Sequence, residues 1–269
     1  MNKETAIVYM VAGMSSRFGG KIKQFAQIGP DGETLMEYSM DQAIKAGFNK
    51  IVFIVGEMTE KPFKEKFTNS YKGIPIEYAK QEFDHTTRDK PWGTLDALAS
   101  AKGIVRSPFV VCNGDDIYGK NAFKVLFQHL QKHTTAATVS YNLADVLPEK
   151  GKTNRGLFKI KDGRVVDIVE VFNIDNENLA ATNSKLDDPI SMNIFALHAE
   201  DLEKIERIVH NFKDTHRGDR KIECLLPEEL GNLIKQDKLV MVIHPANDLW
   251  FGVTNPDDEA VVRKKLAEK

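Results

Sequence analysis

The hexapeptide Ala12-Gly13-Met14-Ser15-Ser16-Arg17 closes an unbroken apolar run, Ala6 to Val11, and Lys23 follows a short way on. A glycine at the end of a buried strand lets backbone N–H groups come close to an anion. Arg17 and Lys23 can neutralise charge that builds on a transferring phosphoryl group and its leaving group. The same stretch excludes two common phosphate loops: Ser15 stands where G-x-G-x-x-G needs its second glycine, and Phe18 stands where G-x-x-x-x-G-K-[ST] needs its own, with Ile22 after Lys21.

A second apolar run, Phe109 to Cys112, ends in Asn113-Gly114-Asp115-Asp116. Two neighbouring carboxylates suit a hard cation: Mg2+ takes one or two of them and fills its shell with phosphate oxygens and water. Adjacent residues at a strand end point in opposite directions, so one Asp is expected to reach a metal and the other to serve the turn.

These residues need a scaffold that delivers strand ends to one edge. Ala6–Val11, the helical spacing of Leu35, Met36, Met40, Ala43 and Ile44 up to Gly47, and the apolar run Lys50–Val55 read as a β-α-β unit. Helix at Thr94–Ala101, strand at Pro108–Asn113 and helix at Asn121–Gln131 continue the rhythm, so the fold class expected is α/β, a Rossmann-like doubly wound sheet. In such sheets ligands bind beyond the carboxyl ends of the strands. From Ala137 onward short strands appear at Thr138–Asn142, Gly156–Ile160, Val165–Val169 and Ser191–Leu197. With an Asp162-Gly163 turn among them, they predict small hairpin additions and a mixed sheet. Asn173–Pro189 reads as a surface loop. Glu203–Phe212, Pro227–Lys235 and Pro256–Leu266 read as amphipathic helices, with a strand at Leu239–Ile243. A single domain over 1–269 is expected, in two halves of about 1–135 and about 136–269.

Taken together, the apolar strand, A-G-x-x-[ST]-R at Ala12–Arg17 and the lysine of Ile22-Lys23-Gln24 resemble the sugar-phosphate nucleotidyltransferases. The resemblance implies a nucleotidyltransferase-type sheet and Mg2+-dependent transfer of a nucleotidyl group from a nucleoside triphosphate to a sugar 1-phosphate, with release of pyrophosphate. Residue by residue it implies Arg17, Lys23 and Asp115 as catalytic, Asp115 as a metal ligand in preference to Asp116, and Ala12, Gly13, Met14 and Ser15 on the nucleotide. Gln81, followed by Lys90-Pro91-Trp92-Gly93-Thr94, looks like the family's base reader, with Gly93 and Thr94 contributing backbone. Gly156, Glu170 and Asn193 match the residues that hold the sugar.

The family pattern breaks at two places. Val171 replaces the lysine after the glutamate, and Trp250-Phe251-Gly252 replaces W-x-D. Asp248, on the Gly252 face of an extended segment, is the candidate for the missing metal carboxylate. Arg220 or Lys221 is the candidate phosphate cation, against a plain solvated charged run. Two alternatives stay open beside the main reading. One is a cytidylyltransferase-type enzyme acting on a phosphoalcohol. The other is a non-catalytic regulatory protein that binds nucleotide or nucleotide sugar. The seven histidines show no metal-ligand spacing and receive no role.

Lys+Arg 37 against Asp+Glu 39 leaves a net charge of -2, without the basic excess of a protein that tracks nucleic acid. Cys112 and Cys224 are too few for a disulfide framework, no apolar run spans a bilayer, and the start shows no leader pattern. A cytoplasmic protein without nucleic-acid or membrane partners is expected; the base, the sugar and the oligomeric state are not legible.

Overall fold

The computed structural model describes residues 3–13, 22–148, 151–253 and 258–267. Among the described residues thirteen strands run in chain order: β1 Ala6–Met10, β2 Lys50–Val55, β3 Ser70–Tyr71, β4 Ile74–Lys80, β5 Phe109–Asn113, β6 Asp116–Ile117, β7 Ala136–Asn142, β8 Thr153–Lys161, β9 Arg164–Ile174, β10 Pro189–Ser191, β11 Ile194–Leu197, β12 Met241–Pro245 and β13 Phe251–Gly252. The helices are α1 Leu35–Ala46, α2 Glu57–Phe67, α3 Thr94–Ala99, α4 Lys120–Lys132, α5 Leu143–Val146, α6 Asp201–Thr215, α7 Leu226–Lys235 and α8 Asp258–Ala267. No helix among the described residues is long and apolar enough to cross a membrane.

Eleven strands form one sheet in the order β10-β8-β9-β12-β7-β11-β5-β1-β2-β4-β3. Strands β5, β1, β2 and β4 are parallel, so their carboxyl ends share an edge. Strand β11 runs antiparallel to both β5 and β7, which makes the sheet mixed.

Alternation along β1 explains its unbroken apolar sequence. Ile7 and Tyr9 enter one core and Ala6, Val8 and Met10 the other, because successive side chains point to opposite faces and both faces are covered. Helix α1 starts with a capping box between Thr34 and Glu37 and stops at Gly47, whose φ of 119° and contact with the Phe127 ring leave no room for a side chain.

Two differences from the sequence reading have physical causes. Helix α2 and strand β4 were not expected. Pro62 inside α2 and its run of lysines and glutamates mask a helix anchored by little more than Phe63 and Phe67. The strand expected over Ser191–Leu197 is two strands, broken where Asn193 takes φ 56°, a left-handed conformation that Asn tolerates better than most residues.

Candidate active site

Along the shared edge, Gly13 follows β1, Gly56 follows β2, Gln81 follows β4 and the Gly114-Asp115 turn follows β5. Three strand spacings of about 4.8 Å separate the β5 end from the β4 end, roughly 15 Å, a span that suits a nucleotide laid across it. Two glycines unremarked in the sequence allow the edge to close. A Cβ on Gly114 would lie 2.3 Å from Val11 Cγ1, and one on Gly56 would lie 2.7 Å from the Ala12 carbonyl oxygen. Each lets a neighbouring turn pack against the end of β1. Gly13 itself is exposed, and a Cβ added there would meet nothing within 4 Å among the described residues. Met14, Ser15, Ser16 and Arg17 lie outside the described residues.

Lys23, in a short 3-10 turn, forms an ion pair with Asp115. The Asp115 side chain is 28% exposed while Asp116 is buried, so the pair of carboxylates divides as opposite-facing neighbours must. Burial, and then the Asp115 charge, push the Asp116 carboxyl up to about 7, and an amide hydrogen bond donated by Asn113 Nδ2 at 2.9 Å works against them. Tyr118, also unremarked in the sequence, ties this turn to the far side of the site. Its hydroxyl accepts from Asn113 N and lies 2.8 Å from the Met192 carbonyl oxygen, one residue before Asn193.

At the other end of the edge the Gln81 amide is locked. Its Nε2 donates to the Gly93 carbonyl at 3.0 Å and to Asp96 Oδ2 at 2.8 Å. Both partners are acceptors only, so the orientation of the amide is dictated, and Oε1 has no partner among the described residues. Gly93 caps α3 against the backbone of Cys224, and the Thr94 hydroxyl accepts from Leu226 N. The Thr94 side chain therefore holds α7, and only its backbone is left to face a ligand.

The β8–β9 hairpin places Gly156 opposite Glu170, with Ser191 of β10 beside it. A Cβ on Gly156 would come 3.5 Å from Glu170 Oε2. Glu170 is half-buried, and that burial raises its carboxyl while Arg155 opposes the shift.

Asp248, the candidate second metal carboxylate, caps a helix in this structure. Its Oδ2 accepts from Asn121 N at 2.7 Å and Ala122 N at 3.0 Å, the first-turn donors of α4. The N-cap of that helix is Gly119, which has no side chain, and a Cβ there would collide with Asp248 at 2.3 Å. Glycine makes room and a distant aspartate does the capping. Asp248→Ala is expected to cost about 1–2 kcal/mol in denaturant unfolding with turnover kept within a few-fold. Loss of turnover at unchanged stability would restore a metal role.

Gly252 pairs with Asp116 across β6–β13. The Trp250 ring covers the place of its missing side chain, 2.6 Å from where a Cβ would be. Arg220 is also engaged elsewhere, with Asp89 and the Thr86 carbonyl. Nearby, buried Arg88 donates to the carbonyls of Asp219 and Ile222 and stacks 3.7 Å from the Trp92 ring centre, clamping the two loops together.

No group of three or more His, Cys, Asp or Glu among the described residues could hold a metal unaided. A hard cation at Asp115 would share its shell with substrate phosphate, which is how Mg2+ is commonly held.

The chain is 25% identical over 241 residues, 89% of its length and 86% of the relative's, to the UTP–glucose-1-phosphate uridylyltransferase AglF of Haloferax volcanii. Its fold matches that of a UDP-glucose pyrophosphorylase complexed with UDP-glucose (TM-score 0.68, 14% identity, 99% of each chain). It also matches a putative glucose-1-phosphate thymidylyltransferase from Bacillus anthracis (0.69, 14%, 98% of this chain and 96% of that one). An inositol-1-phosphate CTP transferase from T. maritima shares the fold as well (0.66, 17%, 99% and 97%). Residues 21–184, more than half of the chain, match the model of the nucleotidyl transferase family, and the chain belongs to that family.

Proposed function

We propose that this nucleotidyl transferase moves a uridylyl or thymidylyl group from its triphosphate to a sugar 1-phosphate, giving a nucleotide sugar and pyrophosphate. The observation that carries the reading is the arrangement on one sheet edge, with the Lys23–Asp115 pair at the β5 end and the locked Gln81 amide at the β4 end. Gln81 Oε1 can only accept a hydrogen bond. Uracil and thymine present a ring N3–H to such an acceptor, whereas the ring nitrogens at the corresponding edge of cytosine and adenine are acceptors themselves. The uridylyl and thymidylyl names of two of the similar proteins agree with this choice, and the CTP transferase that shares the fold is the exception.

In the proposed reaction an oxygen of the acceptor phosphate attacks the α-phosphorus in line and the bond to pyrophosphate breaks. An existing phosphate is already a nucleophile, so the enzyme's work is alignment and charge stabilisation. Lys23 would neutralise the charge that builds on the leaving group, a role that the family pattern extends to Arg17. Asp115 would hold Mg2+, which supplies charge neutralisation along the triphosphate when bound. Gly156, Glu170 and Asn193 grip the sugar.

The test is pyrophosphate release with Mg2+ across UTP, dTTP, CTP, ATP and GTP, each paired with hexose 1-phosphates and with phosphocholine. UTP or dTTP with a hexose 1-phosphate is expected to exceed CTP by about tenfold or more in kcat/KM. Turnover of CTP with phosphocholine alone would favour the phosphoalcohol reading. No release with any pair would leave a nucleotide-binding regulator.

A further inference from the structure

Directly across the β8–β9 hairpin from Val171 stands Arg155. Opposed residues in an antiparallel pair share a face, so Arg155 holds a cation on the side where Val171 has none. Arg155 is half-buried. Its Nη1 donates to the Asn154 carbonyl at 3.1 Å and its Nη2 to the Val146 carbonyl at 2.9 Å, while its Nε is buried without a hydrogen-bond partner among the described residues. It makes no ion pair among the described residues, although it sits within the electrostatic reach of Asp116 and Glu170. Its Cζ lies 5.5 Å from the centre of the Trp250 ring, and Trp250 Nε1 is a second buried donor without a partner.

Two buried, unpartnered N–H donors, one of them on a guanidinium that makes no direct ion pair among the described residues and lies 5.5 Å from the ring that carries the other, are costly unless an acceptor arrives. The acceptor that answers both needs is an anion with several oxygens. Trp250 also covers Gly252, the partner of Asp116. Arg155 is chain neighbour to Gly156, which faces Glu170. The donors thus lie between the proposed sugar grip and the two carboxylates of the β5 turn, where the phosphate linking sugar to metal would sit.

We propose that Arg155 Nε and Trp250 Nε1 bind the phosphate group of the acceptor substrate, supplying from β8 and from the segment before β13 the cation that position 171 lacks. The assignment rests on the sugar 1-phosphate reading above.

Initial rates with the acceptor varied at saturating nucleotide, for wild type, Arg155→Gln, Arg155→Lys and Trp250→Phe, test it. Arg155→Gln is expected to raise KM for the sugar 1-phosphate roughly 10- to 100-fold, and Trp250→Phe, which keeps the ring and removes the donor, a few-fold, with KM for the nucleotide unchanged. Arg155→Lys should fall between. Inorganic phosphate should compete with the acceptor in the wild type and lose that competition in Arg155→Gln. Because Arg155→Gln also removes ties to two carbonyls, Arg155→Gln/Val171→Lys is the companion variant: a cation restored on the same face should recover at least part of the acceptor affinity. Wild-type acceptor KM and phosphate inhibition in both Arg155→Gln and Trp250→Phe would overturn the assignment while leaving the sugar 1-phosphate reading intact. A wild type that turns over no acceptor would overturn that reading and this one with it.

Discussion

Asp115→Asn protein is expected to fold as the wild type does and to release pyrophosphate roughly 10^2- to 10^3-fold more slowly at saturating substrate and Mg2+. The substitution is nearly isosteric, but it removes the negative charge from the more exposed carboxylate of the β5 turn, the one that pairs with Lys23. The side chains of that pair are 28% and 21% exposed, and partly solvated pairs of this kind contribute at most about 1 kcal/mol to folding. Stability should therefore change little, while the charge proposed to hold metal and triphosphate beside Lys23 is gone. The separation is the point of the measurement: urea unfolding and single-turnover pyrophosphate release on the same preparation. A variant within tenfold of wild-type turnover would remove Asp115 from the catalytic centre.

Asp115 also shows why part of this site could be read from sequence. Its position follows from a buried apolar run ending in Gly-Asp-Asp, a local pattern that places strand, turn and carboxylate together. Gly13, Lys23 and Gln81 were legible for the same reason, each following a strand or a motif of short range. Gly114, Gly56 and Tyr118 were not, because what each does is decided by a contact distant in sequence: Gly114 against Val11, Gly56 against Ala12, Tyr118 against the Met192 carbonyl. Asp248 was offered as a metal ligand on a local argument about strand faces, and its visible partner is the start of α4, far away in the chain. Arg155 lay in plain view beside Gly156. Only the hairpin register and the unpartnered Trp250 donor distinguish it from an ordinary surface arginine.

Gly93→Ala should do the most damage to the nucleotide half. Gly93 adopts φ 104° and ψ -175°, a region that residues with a Cβ avoid, at a cost of about 1–3 kcal/mol. Space is also lacking, since an added Cβ would lie 2.5 Å from Cys224 O and 2.8 Å from Cys224 N. Neither atom can step aside freely, because Cys224 N donates to Trp92 O at 2.7 Å and Cys224 O accepts from Leu95 N at 3.0 Å. The bracket between the Trp92–Leu95 segment and Cys224 must open, and the Gly93 carbonyl that anchors Gln81 moves with it. The expected result is a loss of about 3 kcal/mol, seen as a fall of roughly 6–12 °C in Tm. A rise of tenfold or more in nucleotide KM and weaker discrimination between UTP and CTP should accompany it, with KM for the acceptor nearly unchanged. Gly103→Ala is the control. Gly103 has φ 84° but nothing within 4 Å of its Cβ position, so it carries the backbone strain without the collision. It should cost about 1 kcal/mol and leave both KM values alone. If Gly93→Ala were no worse than Gly103→Ala in stability and in nucleotide KM, the contact with Cys224 would not be what holds the Gln81 amide, the proposed base reader, in place.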